Sequence, residues 1–418
     1  MKRGAILASS IELIDQIIKS NTKTKYEINN FFRNNKYAGS KDKTQIKELV
    51  FKFLKNYFSL KKICKNNFIK FSNRNALLLY YFSKNKEKNL EDIYEGKFSL
   101  KPKYEDDKIH GLAISLENDI IPSLPCWLED KLTLEFKSKQ DENYKSILEE
   151  PRFDIRVNNS FIDRDKVLEL LSQNKISSKK TIGSPLGITI NKRILEKKIQ
   201  SIKQNFFEVQ DEASQIVSIL SGAESEMRVL DYCAGKGTKT LAIYDQMKGK
   251  GDIYVYDIDE NRLKLLIKRF HLLNINNKVT IFNGNKSMEN YFDVILLDVP
   301  CTGSGIWRRR PETMIRLNLT EYQKNLKIQH ELLNKVAKYC KKNGIISYIT
   351  CSIFQDENEN QIKKFLDNNK AFKILDINLI LDNKFNHINL NSFYKWLTIT
   401  PSYLNSDGFF ICLLKKYV

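Results

Sequence analysis

Two cysteines stand where this chain can do covalent chemistry. Cys301 closes FDVILLDVPC (292–301) and Cys351 closes GIISYITC (344–351). Each follows an apolar run that reads as a buried parallel strand. In open α/β sheets, ligands bind beyond the carboxyl ends of the strands. Two thiols far apart in sequence can therefore face one pocket, with Asp298 beside them. This set suits addition to an electron-poor ring, because a thiolate is strongly nucleophilic and departs readily. A free thiol ionises near pH ~8.5, so a nearby cation such as Lys239 is a candidate activator. The plain alternative is that both cysteines fill space in the core. Their shared position after strand ends favours chemistry.

The elements that must position them begin near residue 205. Apolar runs alternate there with helix-period segments: RVLDY (228–232), IYVYD (253–257), VTIFN (279–283), DVILLD (293–298) and IISYIT (345–350). This cadence predicts an α/β, Rossmann-like domain over 204–418, with a doubly wound, mostly parallel sheet. DGFFICLLKK (407–416) predicts an antiparallel edge strand. Upstream, Ile6, Leu7, Ile11, Leu13, Ile14, Ile17 and Ile18 share one helical face. Periodic stretches at 46–63 and 76–82 follow, and no clear strand precedes residue 100. The reading is multidomain: an all-α bundle over 1–133 comes first. LPCWLEDKL (124–132) starts a further helix, and PRFDIRVN (151–158) and KTIGSPLGITI (180–190) read as extended. Residues 134–203 form a small α/β connector in this reading.

The first strand of the α/β domain runs into VLDYCAGKGTKTLAIYDQM (229–247). Gly235 and Gly237 permit a tight turn and close approach of a ligand to the backbone. The helix that follows offers free N–H groups to an anion. Asp257 ends the second strand, the place for a carboxylate that grips ribose hydroxyls. Three ligands compete. A phosphate loop needs G-x-x-x-x-G-K-[ST], which no stretch fits. A dinucleotide loop prefers G-x-G-x-x-G, but Thr240 takes the third glycine's place. S-adenosylmethionine carries a carboxylate in place of a pyrophosphate, and D-x-C-x-G-x-G suits it better.

The chain has 418 residues, 42% hydrophobic, enough for two or three domains. Its seven cysteines include no C-x-x-C pair, and its four histidines lie apart from clustered cysteines. Neither a disulfide framework nor a metal site is expected. Glu12 and Asp15 interrupt the first apolar run too early for a signal peptide, and no stretch is long enough to span a bilayer. A cytoplasmic protein with no membrane partner is expected. The net charge of +19 fits a polyanionic partner such as RNA. Lysine-, asparagine- and isoleucine-rich composition explains it as well, and the lysines among Phe and Tyr in the first helices fit either an RNA surface or solvated faces.

Four segments taken together resemble the Sun/RsmB family of RNA cytosine-5 methyltransferases. They are VQDEASQ (209–215), LDYCAGKGTKT (230–240), DVPCTGSGIWRRRPE (298–312) and TCSIFQDENENQI (350–362). The resemblance implies a NusB-like N-terminal domain that binds RNA, and S-adenosyl-L-methionine as cofactor. It implies Cys351 as nucleophile, Cys301 as an aid to product release, and Asp298 at the amino edge of the target cytosine. Cys233, Ala234, Gly235, Gly237 and Lys239 would line the methionine and ribose side, with Asp298 close by. Asp257 would hold the ribose, with Arg262 near, and Asn285 stands where the family has an acidic residue facing adenine. Lys236 and Thr238 also depart from the family's loop. The glutamate-asparagine-valine motif of DNA cytosine methyltransferases is absent, which favours RNA. The target must be single-stranded or flipped out. Arg308, Arg309 and Arg310 can hold phosphates there, and Trp307 either stacks on a base or packs in the core. The implied reaction is cytosine-5 methylation of 16S rRNA by a monomer through a covalent cysteine adduct. Alternatives are tRNA or large-subunit rRNA as substrate, or an RNA-binding ribosome-assembly factor without catalysis, motivated by Lys236, Thr238 and Asn285.

Overall fold

The computed structural model describes residues 1–116, 120, 123–191, 205–385 and 395–418. They fall into two compact units. The first comprises Met1–Lys131, Gln140–Glu150 and Ile306–Asn318. Its main helices are Arg3–Lys19, Thr24–Asn34, Ser40–Asn66, Asn73–Lys84 and Asp106–Ser115. Their apolar stripes meet in one core, in which Leu13, Ile14, Ile17, Val50, Phe53, Leu77 and Leu78 are fully buried. Helix starts are set locally: the Ser72 hydroxyl accepts from the Asn75 N–H at 3.1 Å, and the Asp42 carboxylate accepts from the Gly39 N–H at 2.9 Å. Among the described residues no strand precedes Phe153.

The helix Pro311–Arg316 belongs to this first unit, although it follows the Cys301 loop in sequence. Proline at its first position suits a helix start. Ile315 packs against the helical core, and Arg316 donates to the carbonyls of Ile17 and of Thr22. Trp307 is 0% exposed and Arg308 1%. Of the two roles open to Trp307, the structure gives it the packing one. Arg308 is buried too, so the basic run does not act as a phosphate-holding surface through that residue.

The second unit comprises Leu132–Lys139, Pro151–Gly305 and Leu319–Val418. It holds two sheets. The small one is antiparallel, in the order β2-β3-β1-β4, from β1 (Phe153–Val157), β2 (Ser178–Lys180), β3 (Gly187–Ile190) and β4 (Phe207–Val209). The helix Arg164–Gln173 covers it through Val167 and Leu171.

The large sheet has the order β10-β12-β9-β8-β5-β6-β7, with β11 paired to β12. Its strands are β5 (Arg228–Asp231), β6 (Asp252–Val255), β7 (Val279–Ile281), β8 (Phe292–Asp298), β9 (Cys340–Thr350), β10 (Phe372–Leu375), β11 (Leu397–Ile399) and β12 (Phe409–Lys416). Strands β5 to β9 are parallel, and β10, β11 and β12 pair antiparallel. Alternate side chains enter opposite cores. Val229, Val294 and Leu296 point to one, and Leu230, Ile295 and Leu297 to the other. Both faces are covered, which is why these strands read as unbroken apolar runs. Strand order reverses at β5, between β6 and β8, which opens a crevice at the carboxyl ends.

Candidate active site

In the register of β8 and β9, Leu297 lies opposite Tyr348 and Asp298 opposite Ile349. The two strands therefore end side by side. Cys301 and Cys351 follow those ends, and their sulfurs lie 3.4 Å apart. Both thiols are partly exposed. The hydrogen bond with Cys351 and burial together push the Cys301 thiol well above its ordinary range.

The turn after β5 builds the neighbouring cavity. Gly235 and Gly237 have φ of 55° and 82°. At Gly237 a Cβ would also come within 2.7 Å of Leu266 Cγ, so only glycine lets the helix Glu260–Leu272 pack here. Asp257 braces the turn: its carboxylate accepts from the Gly235 N–H at 2.8 Å and the Asp259 N–H at 2.9 Å. The resulting cavity measures about 600 Å³. That lies within the range of small-molecule pockets, roughly 300–1,000 Å³.

Of the residues predicted for the cofactor, Cys233, Ala234, Gly235, Lys239, Asp257, Arg262 and Asp298 line this cavity. Gly237 lies at the start of the helix Thr238–Gln246 and supports the turn. Asn285 is not part of the lining. It caps a short turn, where its side-chain oxygen accepts from the Ser287 N–H at 3.1 Å. Lys236 and Thr238, the two loop departures, do line the cavity.

Lys239 Nζ contacts Asp298 Oδ2 at 2.7 Å and lies 5.2 Å from the Phe409 ring centre. Burial alone would lower the lysine's pKa, but the Asp298 carboxylate more than offsets it and holds the ammonium charged. Asp231 is buried and accepts from the Thr240 hydroxyl at 2.7 Å. Its other oxygen has no hydrogen-bond partner. Burial pushes its pKa up to about 7. Burial also raises the Cys233 thiol well above its usual range.

An orphaned carboxylate oxygen, a braced loop and a helix start around one cavity fit a small cofactor that carries both an ammonium and a carboxylate. Sequence reasoning missed Ile258, which is 91% exposed on the cavity wall directly after Asp257. Its position one residue past the strand-end carboxylate was the available signal. Also missed was Glu357, buried behind the two cysteine loops. It sits in QDENEN (355–360), a run that reads as a solvated face. Among the described residues there is no group of His, Cys, Asp and Glu that could hold a metal ion, and no helix long and apolar enough to cross a membrane.

Residues 217–415 match the family described as 16S rRNA methyltransferase RsmB/F. A ribosomal RNA small subunit methyltransferase B from Photorhabdus laumondii is 28% identical over 299 residues, 70% of this chain and 66% of the relative. A probable one from Bacillus subtilis is 28% identical over 279 residues, 64% of this chain and 60% of the relative. The chain thus spans slightly less than two thirds of the length of these relatives. Among solved structures, PH0851 aligns over 100% of this chain and 99% of its own, with a TM-score of 0.72 at 20% identity. NSun6 from Pyrococcus horikoshii with SFG aligns over 71% of this chain and 99% of its own, with a TM-score of 0.59 at 18% identity. At these identities the structures establish a shared fold.

Proposed function

Residues 217–415 match the 16S rRNA methyltransferase RsmB/F family, and from that match we propose that the chain is a member and methylates C5 of a cytosine in small-subunit rRNA. The observation that carries this reading is the pair of sulfurs 3.4 Å apart; Cys301 directly follows Pro300, which lines the cavity together with Asp298. S-adenosyl-L-methionine supplies an electrophilic methyl group on a sulfonium. Asp257 and Arg262 hold its ribose side, and Cys233, Ala234, Gly235 and Lys239 its methionine side, with Gly237 keeping the turn open. Asn285 lies off the cavity wall, and Ile258 offers the apolar surface for adenine.

Cys351 acts as the nucleophile. Its thiolate bonds to C6 of the cytosine, which turns C5 into an enamine-like carbon able to take a methyl. Asp298 accepts from the N4 amino group of the ring. After methylation C5 loses its proton, the C6–S bond breaks, and the ring double bond and the thiolate are restored. Cys301 assists that release, as base or through a water. Lys239 holds Asp298 in place and supplies the positive field beside Cys351. Residues 1–133 serve as a NusB-like RNA-binding domain, 134–203 as a connector and 204–418 as the catalytic domain. The protein works in the cytoplasm as a monomer with RNA as its partner.

Incubation with labelled small-subunit rRNA and cofactor tests the assignment. Cys351→Ala abolishes methylation. Cys301→Ala accumulates a protein–RNA adduct that survives a denaturing gel. An adduct in Cys351→Ala alone would exchange the two roles. Full methylation by Cys351→Ala would end the covalent reading. Absence of S-adenosylmethionine binding at millimolar ligand would leave an RNA-binding protein without catalysis.

A further inference from the structure

Four hydrogen bonds converge on the buried carboxylate of Glu357. Thr302 donates twice, from its N–H to Oε1 at 2.9 Å and from its hydroxyl to Oε2 at 2.6 Å. The Ser352 hydroxyl donates to Oε2 at 2.5 Å. Gln329 Nε2 donates to Oε1 at 2.9 Å, and the same nitrogen reaches the Pro300 carbonyl at 3.0 Å. Every partner is a donor, and an ionised carboxylate only accepts. The cage therefore fits the anion. Burial pushes its pKa up, and the four bonds oppose that cost.

The partners are the neighbours of the two thiols. Pro300 and Thr302 flank Cys301, and Ser352 follows Cys351. Further bonds lace the same loops. Ser304 and Ser352 hydroxyls lie 3.0 Å apart, and the Ile353 N–H donates to the Ser304 hydroxyl at 2.9 Å. The Gly305 N–H donates to the Cys351 carbonyl at 2.9 Å. Adjacent strands lie about 4.8 Å apart, so sheet pairing alone leaves the sulfurs out of contact. The loops must be drawn together beyond the strand ends, and Glu357 is where their bonds meet.

We propose that Glu357 is a positioning residue that locks the Cys301 loop to the Cys351 loop and so holds the two sulfurs at hydrogen-bond distance. Its value to catalysis rests on the two-thiol methyltransferase reading; its hold on the sulfurs does not. The carboxylate also adds to the Cys351 contact and burial in keeping the proton on Cys301.

The test uses the whole chain in glutathione buffers. Oxidation takes two electrons and two protons from Cys301 and Cys351 to form one disulfide, and oxidised glutathione becomes two reduced molecules. The equilibrium gives the effective concentration of one thiol at the other. Glu357→Gln keeps the shape but presents an N–H₂ to donors. It should lower that concentration by about tenfold or more. Methylation kcat should fall by about a hundredfold, the cost of roughly ångström misplacement, with KM for RNA little changed. Thr302→Val and Ser352→Ala each remove one arm and should give smaller losses of the same kind. Melting temperature and S-adenosylmethionine affinity are read in parallel. An effective concentration within about twofold of the parent in all three variants would overturn the proposal. So would a common collapse of thiol pairing, cofactor binding and melting temperature, the mark of a merely structural group. A parent protein that methylates no RNA, yet loses thiol pairing in Glu357→Gln, would end the methyltransferase reading and leave the positioning role standing.

Discussion

Asp231→Asn should alter how stability depends on pH, not only its size. Asp231 ends β5, is 1% exposed, and leaves one oxygen without a hydrogen-bond partner. Burial is the main cause that lifts its pKa from 3.8 to about 7. The Thr240 hydroxyl pulls the other way, and the charges of Asp298 and Asp257 add to the rise. In the unfolded chain the group ionises near 3.8; in the folded chain it keeps its proton to about 7. Between those values the folded state binds more protons, so the unfolding free energy falls as pH rises. A rise of about three pH units, at ~1.36 kcal/mol each, makes the penalty about 4 kcal/mol at most. The penalty is absent below the lower value and complete above the upper one. Asparagine cannot ionise and escapes it. Urea unfolding of both proteins at several pH values reads the effect. The stability of the variant relative to the parent should climb by up to about 4 kcal/mol between roughly pH 4 and pH 8, whatever constant offset the amide brings. A difference flat to within about 1 kcal/mol across that window would refute the reasoning.

Asp257→Ala should weaken S-adenosylmethionine roughly ten- to a hundredfold in a calorimetric titration, the worth of one or two bonds to a charged group; unchanged affinity would remove Asp257 from the ribose side. Arg156 is buried and donates to Asp245, to Gln210 at 2.9 Å and to Asn158 at 3.0 Å. Arg156→Met strands the Asp245 carboxylate and should cost about 3–5 kcal/mol in urea unfolding. A loss under about 1 kcal/mol would mean that the pair is not isolated from water. RNA affinity measured by fluorescence anisotropy should fall steeply between low and physiological salt. A flat response would assign the net charge to composition.

The large sheet was legible because buried parallel strands cannot hide. All five predicted apolar runs became β5 to β9 or their ends, since both faces of that sheet are covered. The convergence of Cys301 and Cys351 followed from one topological rule, because each lies just past a strand end. Glu357 was not legible. Its polar neighbours Gln355, Asp356 and Asn360 make the stretch look solvated, and only the fold turns Glu357, and with it Glu359, inward. Arg308 misled for the opposite reason: a run of arginines reads as surface, yet the chain there belongs to the helical unit and buries it, while of Trp307's two open roles the structure takes the packing one. Asn285 shows a third limit. Position after a strand places a residue near a cavity, but local capping decides where its side chain points.

The helix Pro311–Arg316 gives the polypeptide an unusual thread. The helical unit is sewn from three pieces of chain, and its last piece is made after strand β8 and the Cys301 loop that follows it. The leading helices thus emerge from the ribosome long before their missing member and must wait with apolar surface uncovered. A fragment ending at Lys131 would keep that gap for good. No one proteolytic cut can free either body intact, since the chain passes from one to the other and back on either side of residues 306–318.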